Sequence, residues 1–241
     1  MKRISFLASA AMMLTLFSCN NGTEEKKDEK KPDSPAVAAP VPEKPKEFSP
    51  YHALIVKHGV KNYDTWLSYY KGNDTARTRF NVSQFVIGRG LDDSNMVIVI
   101  DKIADVQQAK DFAKQPQLKT VMKDAGVVGA PSIDYVNVVR QDMTTIEQKD
   151  RLMVMHHVKN YDAWLKVFDG EKDKRPGYGL MDRALSRGAD DSNMVYIVFA
   201  ITDLAKAKAR AASPELKELM KNAGVDGPPK MFYYRITDLV K

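Results

Sequence analysis

The chain has 241 residues, with 37 Lys and Arg against 31 Asp and Glu, and a single Cys. One Cys excludes an internal disulfide and a Cys-based zinc site. The content of 28% charged and 9% aromatic residues is that of an ordinary globular protein and excludes global disorder. The net charge of +6 is modest and, without a clustered basic face, gives no indication of nucleic-acid binding.

The first residues have the pattern of an export signal. Lys2 and Arg3 precede an apolar or small run at residues 4–17. This run is shorter than the roughly 20 residues that a transmembrane helix needs, and it fits the apolar region of a signal peptide. The run ends in Leu16-Phe17-Ser18-Cys19, which resembles the bacterial lipoprotein lipobox. That resemblance implies cleavage before Cys19 and acylation of its thiol, so the first partner that we expect is a lipid membrane. The alternative is an incidental Cys in an ordinary signal peptide.

The residues after Cys19 predict which membrane holds the lipid anchor and what kind of segment follows it. Asn20 is not the Asp that retains enterobacterial lipoproteins in the inner membrane, so we expect a lipid-anchored protein of the bacterial cell envelope, at the outer membrane. Glu24-Glu25 resembles surface-export signals of Bacteroidota lipoproteins, which leaves surface exposure open as an alternative. Residues 19–50 are rich in Pro, Lys and Glu and poor in large apolar residues, which predicts a disordered linker behind a signal peptide at residues 1–18.

The rest of the chain contains one unit twice. VKNYDTWL at residues 60–67 returns as VKNYDAWL at 158–165, and RGLDDSNMV at 89–97 returns as RGADDSNMV at 187–195. Both pairs are offset by 98 residues. We therefore expect a first repeat at 51–141, a linker at 142–150 and a second repeat at 151–241.

Within the first repeat, the hydrophobic pattern predicts a strand at 53–58 and then an amphipathic helix. Asn62 is a favourable N-cap, and Tyr63, Trp66 and Tyr70 follow at helical spacing. Strands are predicted at 82–90 and 96–103, joined by the turn residues Asp92-Asp93-Ser94-Asn95.

A second helix and a last strand complete the repeat. Asp105 opens the helix, Pro116 interrupts it, and Gly126 is placed to end it. An apolar segment at 133–139 is the fourth predicted strand.

The resulting order β-α-β-β-α-β is a ferredoxin-like split βαβ unit. Such a unit covers one sheet face with helices and leaves the other bare, at a cost of about 25 cal/mol per Å² of apolar surface exposed. We therefore predict an α+β protein in which two tandem ferredoxin-like repeats pack sheet-to-sheet as a pseudo-dimeric α/β barrel in a monomeric chain. The predicted fold resembles the dimeric α/β-barrel superfamily, which includes cofactor-less antibiotic-biosynthesis monooxygenases, stress-responsive barrel proteins, polyketide cyclases and haem-degrading enzymes.

Three residue pairs are candidates for a ligand-binding or catalytic site. His58 and His156 recur at the end of the first strand of each repeat. Each could act as a base or an orienting donor in a pocket, or could be a histidine that is hydrogen-bonded at a strand end. The other two pairs are the aromatic Trp66 and Trp164, which fit helix packing equally well, and Arg89 and Arg187, which could hold an anion or lie on the surface.

The spacing of these candidates predicts neither a metal site nor a cofactor. We expect a protein that binds a small, partly apolar or aromatic molecule between sheet and helices. One alternative is a cofactor-independent monooxygenase or cyclase in the same pocket, and another is a structural or interaction module whose core is filled.

Overall fold

The computed structural model describes residues 48–240. The predicted signal peptide, Cys19 and nearly all of the predicted linker lie outside these residues. Over the described part, the chain forms eight strands, seven α-helices and one 3-10 helix at Lys172–Tyr178. The strands are β1 (Tyr51–Val60), β2 (Val82–Gly90), β3 (Met96–Ile103), β4 (Val127–Gln141), β5 (Asp150–Val158), β6 (Leu180–Gly188), β7 (Met194–Ile201) and β8 (Val225–Leu239). The α-helices are α1 (Tyr63–Gly72), α2 (Asp74–Thr78), α3 (Val106–Ala113), α4 (Pro116–Asp124), α5 (Tyr161–Gly170), α6 (Leu204–Ala212) and α7 (Pro214–Asn222).

The helices begin and end where the sequence chemistry predicts. The side chain of Asn62 accepts a hydrogen bond from the Thr65 backbone N–H at 2.9 Å, which caps α1. Asp105 caps α3 by accepting from the Gln108 backbone N–H at 2.8 Å. Pro116 is the first residue of α4, and Gly126 follows that helix with φ of +77°, a left-handed conformation that favours glycine.

The predicted strands are also present, but the first and the last strand of the repeat are longer than predicted. β1 covers Tyr51–Val60 where the sequence predicted 53–58. β2 and β3 have the predicted bounds, whereas β4 begins at Val127, six residues before the predicted start. The early part of β4 pairs with β1 beyond a register shift, with Val127 opposite Val60. Gly129 and Pro131 lie in this part, and both are residues that a strand pattern does not favour.

The eight strands form one closed antiparallel barrel. Within each repeat the order is β4-β1-β3-β2 or β8-β5-β7-β6, and the repeats join where β2 pairs with β8 and β6 pairs with β4. Each repeat thus supplies the partner for both open edges of the other, and closure leaves no free sheet edge. The α+β barrel predicted from the duplication is confirmed.

Each barrel wall buries both of its faces. Tyr234, Met153, Ile98 and Val136 are at most 1% exposed and belong to the cluster that fills the barrel interior. The opposite faces of the strands pack against the helices of their own repeat in separate clusters. Over residues 48–240, no helix is long and apolar enough to cross a membrane.

Two symmetry-related ion pairs also cross between the repeats. Lys110 on α3 lies 2.5 Å from Asp190 in the hairpin of the second repeat, and Lys208 on α6 lies 2.8 Å from Asp92 in the hairpin of the first. These pairs are solvent-exposed, so each contributes at most about 1 kcal/mol. The hydrophobic interior and the shared strand edges therefore provide most of the stability of the join.

We predict that the β2–β8 join tolerates no added atom at Gly88. A Cβ at that position would lie 2.5 Å from Cδ2 of the buried Tyr234 and 3.1 Å from the Arg235 carbonyl oxygen. Gly88→Ala should lower the free energy of unfolding by about 1–3 kcal/mol. Gly72→Ala is the matched control, because an added Cβ at this helix end meets nothing within 4 Å. Urea unfolding measures both, and equal stability of the two variants would contradict this account of the join.

Candidate functional site

The two recurring histidines lie beneath the helices. His58 is 5% exposed, and its ring centroid lies 5.5 Å from that of Trp66 on α1. His156 is 6% exposed, with the same 5.5 Å separation from Trp164 on α5. The histidine and tryptophan candidates are therefore brought together in each repeat, on the face of the sheet that the helices cover.

Burial keeps both histidines neutral. Among residues 48–240, neither ring nitrogen of His58 or His156 has a hydrogen-bond partner. Removal from water lowers the pKa of each ring to about 4. At neutral pH each is an uncharged side chain with unused hydrogen-bonding capacity, and a weak base.

A cavity of about 520 Å³ lies beside His58 in the first repeat, between the sheet and helices α1 and α4. Most of its wall is aliphatic and aromatic. Its polar and aromatic lining includes His58, Trp66, Tyr70, Arg77 and Asp101. Small-molecule sites have this composition, an apolar wall with a few convergent polar groups.

Asp101, Tyr70 and Arg77 form a buried polar group in that wall. Tyr70 donates its hydroxyl hydrogen to Oδ1 of Asp101 at 2.8 Å and stacks on Trp66 with the ring centroids 5.3 Å apart. Arg77 places its guanidinium 3.9 Å from the centre of the Tyr70 ring and pairs with Asp74 at 3.0 Å. Cation–π contact, stacking and hydrogen bonding thus fix the Tyr70 ring in place.

The environment of Asp101 changes its acid strength. The residue is 3% exposed, and burial raises the pKa of its carboxyl group to about 6. The hydrogen bond from Tyr70 and the charge of Arg77 oppose this rise and keep it from being larger. A buried carboxyl group that titrates near neutral pH beside a cavity is a common property of functional sites.

The second repeat has the same framework but a much smaller cavity. Phe199 occupies the position of Asp101, and Phe168 occupies that of Tyr70 and stacks on Trp164 with the ring centroids 4.9 Å apart. Arg175, the counterpart of Arg77, pairs with Asp182 at 3.0 Å instead of with a residue of its own short helix. The cavity beside His156 is about 120 Å³, and its wall is almost wholly apolar.

The arginine candidates lie elsewhere. Arg89 donates from Nε to the Ser94 carbonyl oxygen at 2.7 Å, and its guanidinium lies 4.1 Å from the centre of the Tyr63 ring. Arg187 makes the equivalent hydrogen bond to Ser192 at 2.7 Å. Each guanidinium closes its own hairpin, and neither residue lines the histidine cavities.

Neither Asp101 nor Arg77 is among the site residues that the sequence predicted. Asp101 interrupts the apolar run of β3, MVIVIDKI, whose counterpart MVYIVFAI has no charge. This single charged residue in an otherwise apolar strand, present in one repeat only, is the sequence signal that could have indicated Asp101 as a site residue. Arg77 lies in α2, a short helix that the hydrophobic pattern did not indicate. Within residues 48–240, no group of three or more His, Cys, Asp or Glu side chains is arranged to hold a metal ion.

The fold is shared with solved structures of other proteins. A candidate monooxygenase from Fusobacterium nucleatum superimposes with a TM-score of 0.50 at 10% identity, covering 79% of this chain and 93% of that one. An anthrone oxidase-like protein superimposes with a TM-score of 0.51 at 11% identity, covering 78% and 92%. No family model and no curated protein matches the sequence. The chain has the dimeric α/β-barrel fold, with the two halves fused.

We predict that Asp101 makes stability fall as pH rises. Because its pKa is about 6 in the folded state against an ordinary value of 3.8, the folded protein holds the extra proton between these values, and its stability decreases across that window. Asp101→Asn removes this decrease, so the variant should gain about 2 kcal/mol of stability relative to the parent between pH 4 and pH 7.

Urea unfolding of the parent and the variant at both pH values measures this difference. His58 and His156 are present in both proteins, so their own pH dependence cancels. Asp124→Asn, at an exposed position, is the control. A relative stability of Asp101→Asn that does not change with pH would contradict the assigned protonation behaviour.

Proposed function

We propose that this chain is a lipid-anchored binding protein of the bacterial cell envelope, and that its first repeat binds a small, partly apolar or aromatic molecule. The single observation that supports the binding role is the cavity of about 520 Å³ beside His58 and Asp101. This volume is within the range of small-molecule sites. A cavity of this size also counts against a module whose core is filled.

The wall of the cavity favours a ligand with one polar edge. The Trp66 ring and the surrounding aliphatic side chains suit an apolar body. Asp101 has a second oxygen, Oδ2, that accepts no hydrogen bond within the described residues, so it is available to accept one from a ligand hydroxyl. The two ring nitrogens of His58 have no hydrogen-bond partner among residues 48–240, but both are covered by protein atoms, so Asp101 is the polar contact that the cavity offers. An aromatic alcohol therefore matches both parts of the site.

We predict that 4-ethylphenol binds the first repeat and that 4-ethylanisole, which lacks the hydroxyl hydrogen, binds at least about tenfold more weakly. Asp101→Phe copies the residue of the second repeat, removes the acceptor and narrows the cavity, and it should therefore abolish binding. Isothermal titration measures the affinity, and quenching of Trp66 fluorescence in a Trp164→Phe background reports the location.

Phe199→Leu is the matched control, because it changes the equivalent position of the second repeat. Binding that survives Asp101→Phe, or quenching that appears only for Trp164 in a Trp66→Phe background, would overturn the assignment of the site.

The lipid anchor has its own test. If Cys19 is acylated, cells grown with labelled palmitate should incorporate the label into this protein, and Cys19→Ser should lose it. Mass spectrometry of the membrane-extracted protein should then show a mature chain that begins at Cys19 and carries acyl groups. Label in the Cys19→Ser protein, or a mature chain without acyl groups, would contradict the anchor.

A second candidate function is a cofactor-independent oxygenase in the same cavity. The observation that favours it is Asp101, because a buried carboxylate with a pKa of about 6 is a suitable base for a bound phenol or enol. His58 is less suitable, since burial lowers its pKa to about 4. Without a cofactor the substrate itself must supply the electrons that reduce O₂, so the test uses anthrone, which O₂ converts to anthraquinone and water. Oxygen uptake with anthrone that is lost in Asp101→Asn would support turnover, and binding without uptake would leave the binding role.

A further inference from the structure

A second cavity opens at one end of the barrel, on the other side of strand β1. Neighbouring residues of a strand point to opposite faces. His58 therefore points under the helices, while Lys57 points into the barrel. The opening has a volume of about 530 Å³, and its lining includes Lys57, Met96, Ser132, Met155, Lys230 and Phe232.

Lys57 is a half-buried ammonium group without a close counter-ion. Its Nζ donates to the Met155 sulfur at 3.3 Å and lies 5.9 Å from the centre of the Phe232 ring. Among residues 48–240, no carboxylate oxygen lies within 4.0 Å of this nitrogen. A thioether is a weak acceptor, so most of the hydrogen-bonding capacity of the ammonium group is unused.

Two lysines and two carboxylates surround the opening: Lys57 and Lys230, with Asp93 in the lining and Asp134 close to Lys57. Asp93 already accepts a hydrogen bond from the Asn95 backbone N–H at 2.9 Å. Asp134 is close enough to stabilise the ammonium form, but its carboxylate already accepts from Tyr196 at 2.9 Å and from Ser132 at 3.2 Å. Lys230 adds a second positive charge at the exposed rim. Burial lowers the pKa of Lys57, which is the cost of holding a cation beside apolar groups. An incoming anion would offset that cost.

The pseudo-symmetry of the barrel does not produce a second copy of this site, because its key residues differ between the repeats. Met155 occupies the position of Lys57 in the second repeat, and Phe232 occupies that of Asp134. The polar groups of one repeat thus face the sulfur and the ring of the other across the barrel. A ligand that satisfies both sides has an acidic group next to an apolar or aromatic body.

We propose that this end of the barrel binds a small aromatic or apolar carboxylate, with its carboxylate on Lys57 and its body against Met155 and Phe232. This site is separate from the helix-covered cavity that contains Asp101. Lys57 and the two contacting side chains come from different repeats, so the fused barrel is needed to form it.

The probe is 4-ethylbenzoate, with 4-ethylbenzamide as its uncharged control. In protein labelled at the methionine methyl groups, we expect benzoate to shift the NMR signals of Met155 and Met96 in a saturable manner. Lys57→Met, which copies the residue of the second repeat, should weaken binding at least about tenfold, and Lys57→Arg should retain it. Thermal unfolding checks that each variant is folded, and Lys57→Gln replaces Lys57→Met if that protein does not fold.

Three outcomes would overturn the proposal: no saturable shift up to about 20 mM benzoate, equal binding of the benzamide, or an affinity that Lys57→Met leaves unchanged. Asp101→Asn separates this site from the helix-covered cavity and should leave benzoate affinity as it is. Loss of benzoate binding in Asp101→Asn, with binding retained in Lys57→Met, would place the acid in the other cavity and refute the Lys57 site alone.

Discussion

The structure depends on one constraint: a β-α-β-β-α-β unit has helices for only one sheet face and leaves two strand edges without partners. The second repeat meets both needs, because its sheet closes the barrel over the bare face and its strands β8 and β6 pair with β2 and β4. The same contact between the repeats therefore buries the interior residues, such as Tyr234 and Met153, and pairs the strand edges. Covalent fusion makes the second partner part of the same chain, which removes the concentration dependence of a dimer.

Fusion also frees the two halves to differ, and some of the differences line the cavities. The framework residues recur: Asn62 and Asn160 cap equivalent helices, and Trp66 and Trp164 stack at equivalent positions. The residues that give the first cavity its volume and its acid do not recur. In a symmetric homodimer each change would occur twice, whereas here Asp101 stands opposite a phenylalanine in the other half.

The sequence predicted the fold well because its signals are local and are present twice. Caps, turn residues and strand alternation determine element order without knowledge of distant contacts, and the 98-residue offset confirmed each assignment with a second copy. The site was harder to predict. His58 and His156 were predicted because they recur in both repeats. Recurrence, however, indicates residues that both repeats need for folding as readily as residues that bind a ligand. Asp101 and Arg77 gain their significance from burial and from contacts with Tyr70, which no local pattern encodes.

The cost of removing a side chain from water separates the roles of the recurring histidines and of Asp101. A histidine packed against tryptophan avoids the cost of burying a charge because it stays neutral, although its two unpartnered nitrogens lose their hydrogen bonds to water. The same arrangement is kept in the half whose cavity is smaller. A buried carboxyl group cannot stay ionised at so low a cost, and Asp101 is held by one tyrosine hydroxyl and a nearby guanidinium. Burial of such a group is less favourable than burial of a phenylalanine, the residue that the second repeat has at the equivalent position. A chain that keeps Asp101 in one half therefore retains a polar group that folding of the equivalent half does not require, and this supports the proposal that the first cavity binds a ligand.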